Sequence, residues 1–361
     1  IQADGKIVAT GSSNAGSYDE TLVARYLSDG TLDVSFGLSG FTTVDIASED
    51  SEGVSVIAQS DGKIVLSGTG FNGTDRDFLL IRLNFDGTLD TGFDTDGIVT
   101  TDFGGGEEGR RMQQQADGKY VVNGYTNSGA GGDFVVARYN TDGSLDTSFG
   151  SGGKVVTSIT TGADESLGVA LQSDGRILVS GYTQDSGRTD FVVVRYNSDG
   201  TLDASFANSG IYQASFSGTA DMALHVTVQA DGRIIASGAT HNGTDMDFLV
   251  IRLNADGTLD PSFGTAAIAG PPNFVEGGSP VVLDGDIEVF DEELSGINDF
   301  GGTTLTIARS GGAQAEDQLV FGGVVTTSGA NVSVSGTQVG TYIFTSGQMI
   351  VTFDGGATQS Q

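Results

Sequence analysis

The 361 residues carry 47 acidic against 16 basic side chains, a formal charge of -31, with 37% hydrophobic content, 57 glycines, 4 prolines and neither cysteine nor tryptophan. A field of that sign repels phosphate backbones and anionic headgroups, which argues against nucleic-acid and membrane-surface binding. The absence of cysteine excludes disulfides, thiolate metal sites and a cysteine nucleophile.

The apolar content allows a sizeable core, and abundant glycine with little proline suits many tight turns, so an all-β fold is expected. No apolar run approaches the roughly 18 residues of a membrane helix, and no membrane insertion is expected. The chain begins "IQADGKIVATG", inside a recurring unit, and reads as a fragment of a larger protein.

Self-similarity organises the first three-quarters. A "Q-x-D-G-[KR]" turn recurs with its aspartate at Asp4, Asp61, Asp117, Asp174 and Asp231, spaced 57, 56, 57 and 57 residues. A second anchor, "D-G-[TS]-L-D", starts at Asp29, Asp86, Asp142, Asp199 and Asp256 in the same register. Within the second unit, short β-branched runs separated by Gly, Asp and Asn predict strands at about 54–59, 63–68, 77–83 and 97–102. The first two meet across "SDGK", where Asp-Gly suits a two-residue hairpin turn. The third, "FLLIRLN", is apolar on both faces, as for a strand covered on both sides.

Four antiparallel strands per unit, repeated about five times at 57 residues, describe the blades of a β-propeller. The third copy reads "ADGKYVVNGYT" and then "DFVVARYNTDGSLDTSFGSGGKVVT". This resembles the delta-60 repeat, a bacterial family regarded as β-propeller and without an assigned activity; the likeness covers residues 1 to about 264. The first copy departs with Glu20 and Thr21 in place of Asp-Phe and Leu27 in place of Asn. The resemblance implies fold and compartment, an extracellular or bacterial cell-surface location, and no reaction. Five blades closing into one ring are expected, with six or more if further copies belong to the intact protein.

The stretch "RLNFDGTLDTGFDTDG" packs four aspartates into residues 82–97. An EF-hand loop needs oxygen ligands at its first and last positions, where this stretch has Arg82 and Phe93. The recurrent Arg25, Arg82, Arg138, Arg195 and Arg252 are instead expected to pair with Asp33, Asp90, Asp146, Asp203 and Asp260, while the phenylalanine returns to the core. Asp94 and Asp96, peculiar to the second unit, leave room for a private cation site.

After "FGTAAIAGPPNF" the repeat stops, and Pro271-Pro272 mark a stiff linker. Residues 1–268 therefore read as the propeller and 269–361 as a second, truncated domain. Its alternating runs, among them "TTLTIARS", "DQLVFGG", "NVSVSGT" and "MIVTFDGG", suit a β-sandwich. The opening "NFVEGGSPVVLDGDIEVFDEELSG" resembles the cadherin-like, immunoglobulin-type modules of bacterial RTX-type surface adhesins. That resemblance implies Ca2+ held by Glu276, Asp286 and Asp291, with Glu292 and Asp284 as secondary candidates.

Catalytic signals are weak. His225 and His241 are the only imidazoles, neither recurs between units, and no nucleophile elbow or phosphate loop is present. Tyr125 and Tyr182 offer modest stacking surfaces for sugars. The expected function is non-enzymatic adhesion or extracellular recognition, as a monomeric part of a multidomain chain with a cell-surface glycan or protein as ligand. The alternative is a secreted propeller hydrolase or lyase acting on polysaccharide through paired carboxylates.

Overall fold

A computed structural model describes residues 1–263 apart from 15, 47–48, 128–130, 186, 217–218 and 261, together with five strands of the C-terminal part. Every regular element among the described residues is a strand. The chain divides into two compact units, Ile1–Ala267 and Ile268–Gln361.

Each repeat becomes one antiparallel sheet. The first holds β1 (Ile7–Asn14), β2 (Asp19–Tyr26) and β3 (Phe41–Val44); the second holds β4 (Ser51–Ala58), β5 (Ile64–Phe71), β6 (Arg76–Leu83) and β7 (Ile98–Thr101). The third comprises β8 (Glu107–Gln114), β9 (Tyr120–Thr126), β10 (Phe134–Tyr139) and β11 (Lys154–Thr157). The fourth comprises β12 (Asp164–Leu171), β13 (Ile177–Asp185), β14 (Arg188–Tyr196) and β15 (Ile211–Ala214), and the fifth β16 (Asp221–Val228), β17 (Ile234–His241) and β18 (Met246–Leu253). The leading strands β4, β8, β12 and β16 pack on one another in succession, whereas β3, β7, β11 and β15 do not, so the sheets fan out in the manner of propeller blades.

The hairpin turn differs from the two-residue form expected from "SDGK". Gly62 N–H donates to Gln59 O at 3.0 Å and Gln59 N–H to Lys63 O at 2.8 Å, a three-residue loop. Only Gly62 takes positive φ, at 87°, whereas a two-residue type I′ turn needs it at both central positions. Asp61 instead turns its carboxylate back to accept the Lys63 N–H at 3.0 Å.

Alternation along the third strand builds the core. Phe78 and Leu80 of β6 pack toward the third sheet with Tyr120, Val122 and Val135, while Leu79, Ile81 and Leu83 pack toward the first with Val8, Val23 and Phe36. Both faces of this strand are therefore buried. Equivalent cores join the third sheet to the fourth and the fourth to the fifth.

The expected closed ring of five is not what the described residues form. Phe78, Phe134 and Phe191 are each fully buried against the following sheet. Their counterpart Phe248 in β18 remains 59% exposed, and no core among the described residues joins the fifth sheet to the first.

In the second unit, β19 (Thr304–Ala308), β20 (Val325–Ser328), β21 (Asn331–Val334), β22 (Thr337–Thr345) and β23 (Gln348–Phe353) form one antiparallel sheet in the order β19-β23-β22-β21-β20. The sheet pairing is described there; a second, facing sheet of the expected sandwich is not among the described residues.

Candidate functional site

The recurring charges meet as the spacing predicts. Arg25 Nε donates to Asp33 at 2.8 Å, Arg82 to Asp90 at 2.6 Å, and Arg138, Arg195 and Arg252 to Asp146, Asp203 and Asp260 at 2.8 Å each. Each guanidinium lies over the phenylalanine three residues past its aspartate, from Arg25 on Phe36 at 4.5 Å to Arg252 on Phe263 at 4.7 Å. This stacking explains why a phenylalanine occupies the place where a calcium loop would carry its last ligand.

The same carboxylate oxygen also faces the cation of the "D-G-[KR]" turn. Lys63 reaches Asp90 at 2.7 Å, Lys119 reaches Asp146 at 2.9 Å and Arg176 reaches Asp203 at 3.1 Å. Lys6 and Arg233 stand farther off, at 3.3 and 3.5 Å from Asp33 and Asp260. The two sequence anchors are thus two halves of one buried cluster, a partnership that sequence reasoning missed. The signal was available: both anchors recur in one register, each with a cation or an anion to place.

The cluster also crosses to the next unit. Arg82 donates through Nη1 to Thr141 O at 2.6 Å, and Arg25, Arg138 and Arg195 reach Phe85 O, Ser198 O and Ala255 O in the same way. Beside each, a backbone amide grips the same turn: Gly37 to Asp86 O at 2.8 Å, Asp94 to Asp142 O at 2.6 Å, Gly150 to Asp199 O and Ala207 to Asp256 O at 2.7 Å.

The aspartates are held acidic by these contacts. Hydrogen bonds from the Ser262 hydroxyl and amide, helped by Arg252, lower Asp260 to about 2. Ser35 and Arg25 hold Asp33 well below the usual carboxylate range; at Asp146, burial opposes the shift, but Lys119, Ser148 and Arg138 outweigh it.

The remaining expected residues scatter. Asp94 adopts a left-handed φ of 50° in its turn and Asp96 accepts the Ile98 N–H at 3.0 Å, so both serve as turn residues. His225 is exposed on β16, and His241 accepts the Gly243 N–H through Nδ1 at 3.0 Å at the end of β17. The Tyr125 ring is only 7% exposed and covered by the Arg110 guanidinium at 5.3 Å, which leaves little face for a sugar. Glu276, Asp286, Asp291, Asp284 and Glu292 lie outside the described residues.

A different acidic group emerges between the second and third sheets. Carboxylate oxygens of Asp77 at the start of β6, Asp102 after β7 and Glu107 at the start of β8 lie within 4.8 Å of one another. Glu107 is fully buried and Asp77 is 4% exposed, whereas Asp102 opens to solvent. Burial, and then the neighbouring charge of Asp102 and of Asp77, raises Glu107 to about 7; burial likewise raises Asp77.

Position 107 repeats at Ser51, Asp164 and Asp221. Asp164 accepts the Ile159 amide at 2.6 Å, the Thr160 amide at 3.1 Å and the Thr183 hydroxyl. Asp221 accepts the Phe216 amide at 2.7 Å and the Thr240 hydroxyl at 2.5 Å. Ser51 accepts from the Thr21 amide and hydroxyl at 3.0 and 3.1 Å. In the third unit alone the side chain is one methylene longer, and the residue five positions earlier is Asp102.

Among known proteins, a family described as "Domain of unknown function (DUF5122) beta-propeller" matches residues 2–36, 59–93, 115–149, 172–206 and 229–263. No curated protein matches. Similar solved structures include a glycoside hydrolase at 13% identity and TM-score 0.35, over 72% of this chain and 60% of that one. A Bacillus subtilis arabinanase shares 13% identity at TM-score 0.33, over 57% and 75% of the two chains. A Bombyx mori β-fructofuranosidase shares 10% at 0.35, over 98% and 87%. Similarities of this strength carry nothing about activity. Residues 2–263, which hold all five family matches and the five fanned sheets, are a segment of β-propeller repeats.

Proposed function

We propose that the chain is a non-enzymatic adhesion or recognition scaffold of the extracellular space or bacterial cell surface, presenting its inter-strand loops to a glycan or protein ligand. One observation carries this reading: in the first four units the recurring charged residues are engaged in joining one sheet to the next. Ten of the sixteen basic residues serve in these clusters. The repeat thus encodes a stack, and the sequence varies between units in stretches such as "SSNAGSYDE", "FNGTDRD" and "TNSGAGGD". In the same reading, Ca2+ at Glu276, Asp286 and Asp291 stiffens the C-terminal part as a spacer.

The hydrolase or lyase alternative draws on Asp77, Asp102 and Glu107. A glycosidase pair flanks a sugar at roughly 5–9.5 Å with both carboxyls open to it. Here the oxygens converge on a gap of ionic size and Glu107 is enclosed. The test incubates the full chain with neutral and uronate-containing polysaccharides, measuring binding by biolayer interferometry and new reducing or unsaturated ends chemically. Saturable binding without turnover is expected. Turnover abolished by Glu107→Gln would overturn the scaffold reading.

A further inference from the structure

We propose that Asp77, Asp102 and Glu107 form a divalent-cation site, with Ca2+ as the fitting ion, between the second and third sheets. The argument rests on two independent observations. The first is the convergence of three hard oxygen donors within 4.8 Å. The second is that the buried donors lack partners. The Phe103 amide polarises Glu107, but neither Glu107 oxygen has a hydrogen-bond partner of normal geometry, and Asp77 Oδ1 has none either.

A buried carboxylate without partners is costly, and three acids together add mutual repulsion. At the same register, Asp164 and Asp221 satisfy themselves with protein amides and hydroxyls. Glu107 makes none of these bonds, and Asp102 stands where the other units carry Ile46, Ile159 and Phe216. Among the described residues no ion pair neutralises any of the three: Arg76 and Arg110 pair with Glu108 at 3.8 and 3.1 Å. Lys154, on the Asp102 side, binds the Asp102 main-chain carbonyl at 2.8 Å, not the carboxylate.

The surrounding contacts hold the set in place. Asn72 donates to Asp77 Oδ2 at 2.9 Å, the Gly104 amide donates to Asp102 at 2.5 Å, and the Phe103 ring packs on Phe78 at 5.1 Å. Asp102 is exposed, so water can complete the six to eight oxygens that Ca2+ takes in flexible geometry. Mg2+ demands stricter octahedral geometry and gives up water reluctantly, which favours the larger ion. Because its ligands come from two sheets and the link between them, the ion would tie those sheets together.

The test uses the full chain with Glu276, Asp286 and Asp291 replaced by Gln, Asn and Asn, so that only this site is read. Isothermal titration with CaCl2 at pH 7.5, after EDTA stripping and dialysis, is paired with calorimetric melting. Bound Ca2+ and a rise in Tm of about 5 °C at saturating calcium are expected. Adding Glu107→Gln removes the binding and reverses its own effect on stability: the variant melts higher than its parent in EDTA, where repulsion is relieved, and lower in calcium. Asp102→Asn, at the exposed edge, weakens binding without disturbing the fold in EDTA. Equal calcium binding and equal Tm shifts with and without Glu107→Gln would overturn the site. Higher stability of Glu107→Gln under both conditions would do so as well, assigning Glu107 to a proton-sharing cluster.

Discussion

At the scale of single residues, the recurrent aspartate acts as a junction. One of its oxygens takes a guanidinium and a second cation, and the other takes the amide of the residue two positions on, joined by that residue's hydroxyl where it is a serine, as in Asp146 with Ser148 at 3.1 and 2.7 Å; at Asp90 the residue is Gly92. A group this well satisfied is more acidic folded than unfolded, so its contribution is fully present above the ordinary value of 3.8. It is lost as pH falls through the lowered folded value, about 2 for Asp260. Acid titration followed by circular dichroism should therefore show the repeat segment losing stability progressively between about pH 4 and pH 2, with Asp260→Asn flattening that slope. An unchanged slope in the variant would remove Asp260 from the clamp.

At the scale of elements, the "N-x-D-G-T" turn is built for close approach by the preceding unit. Gly87 sits at φ 90°, and a Cβ there would lie 2.8 Å from Gly37 N and 3.0 Å from the Phe36 ring. Gly37 N–H is the amide that grips Asp86 O. Gly87→Ala should cost about 1–2 kcal/mol from the left-handed backbone, plus the displaced contact, in a urea titration; a loss within a few tenths would mean the turn is free to move. Strands and the Arg-Asp pairing were legible because period-two apolar runs and fixed eight-residue spacings are local patterns. The turn type was not, because only backbone angles separate a lone left-handed Gly62 from a pair with Asp61. The Asp77, Asp102 and Glu107 group was hidden because its members come from separate elements, and it shows only when Glu107 is aligned with Ser51, Asp164 and Asp221.

At the scale of the repeat segment, stability is a chain of neighbour contacts: four apolar cores, each flanked by an arginine that leaves its own sheet to hold the next. In such an array a lost junction weakens the two units it joins more than those farther away. The fifth sheet shows the same face without a following unit among the described residues: Phe248 is exposed, and Arg252 contacts Asp260, Ser262 and Phe263 of its own unit. The period was legible in sequence; closure was not, because it depends on which faces meet. The most direct measurement of the central claim, that the recurring charges join sheet to sheet, is native-state hydrogen exchange on Arg138→Ala beside the unaltered chain. The account predicts a loss of about 3 kcal/mol and faster exchange in both β8–β11 and β12–β15, with β1–β3 little changed. Faster exchange confined to the turn around Asp146, or unaltered protection throughout, would contradict it.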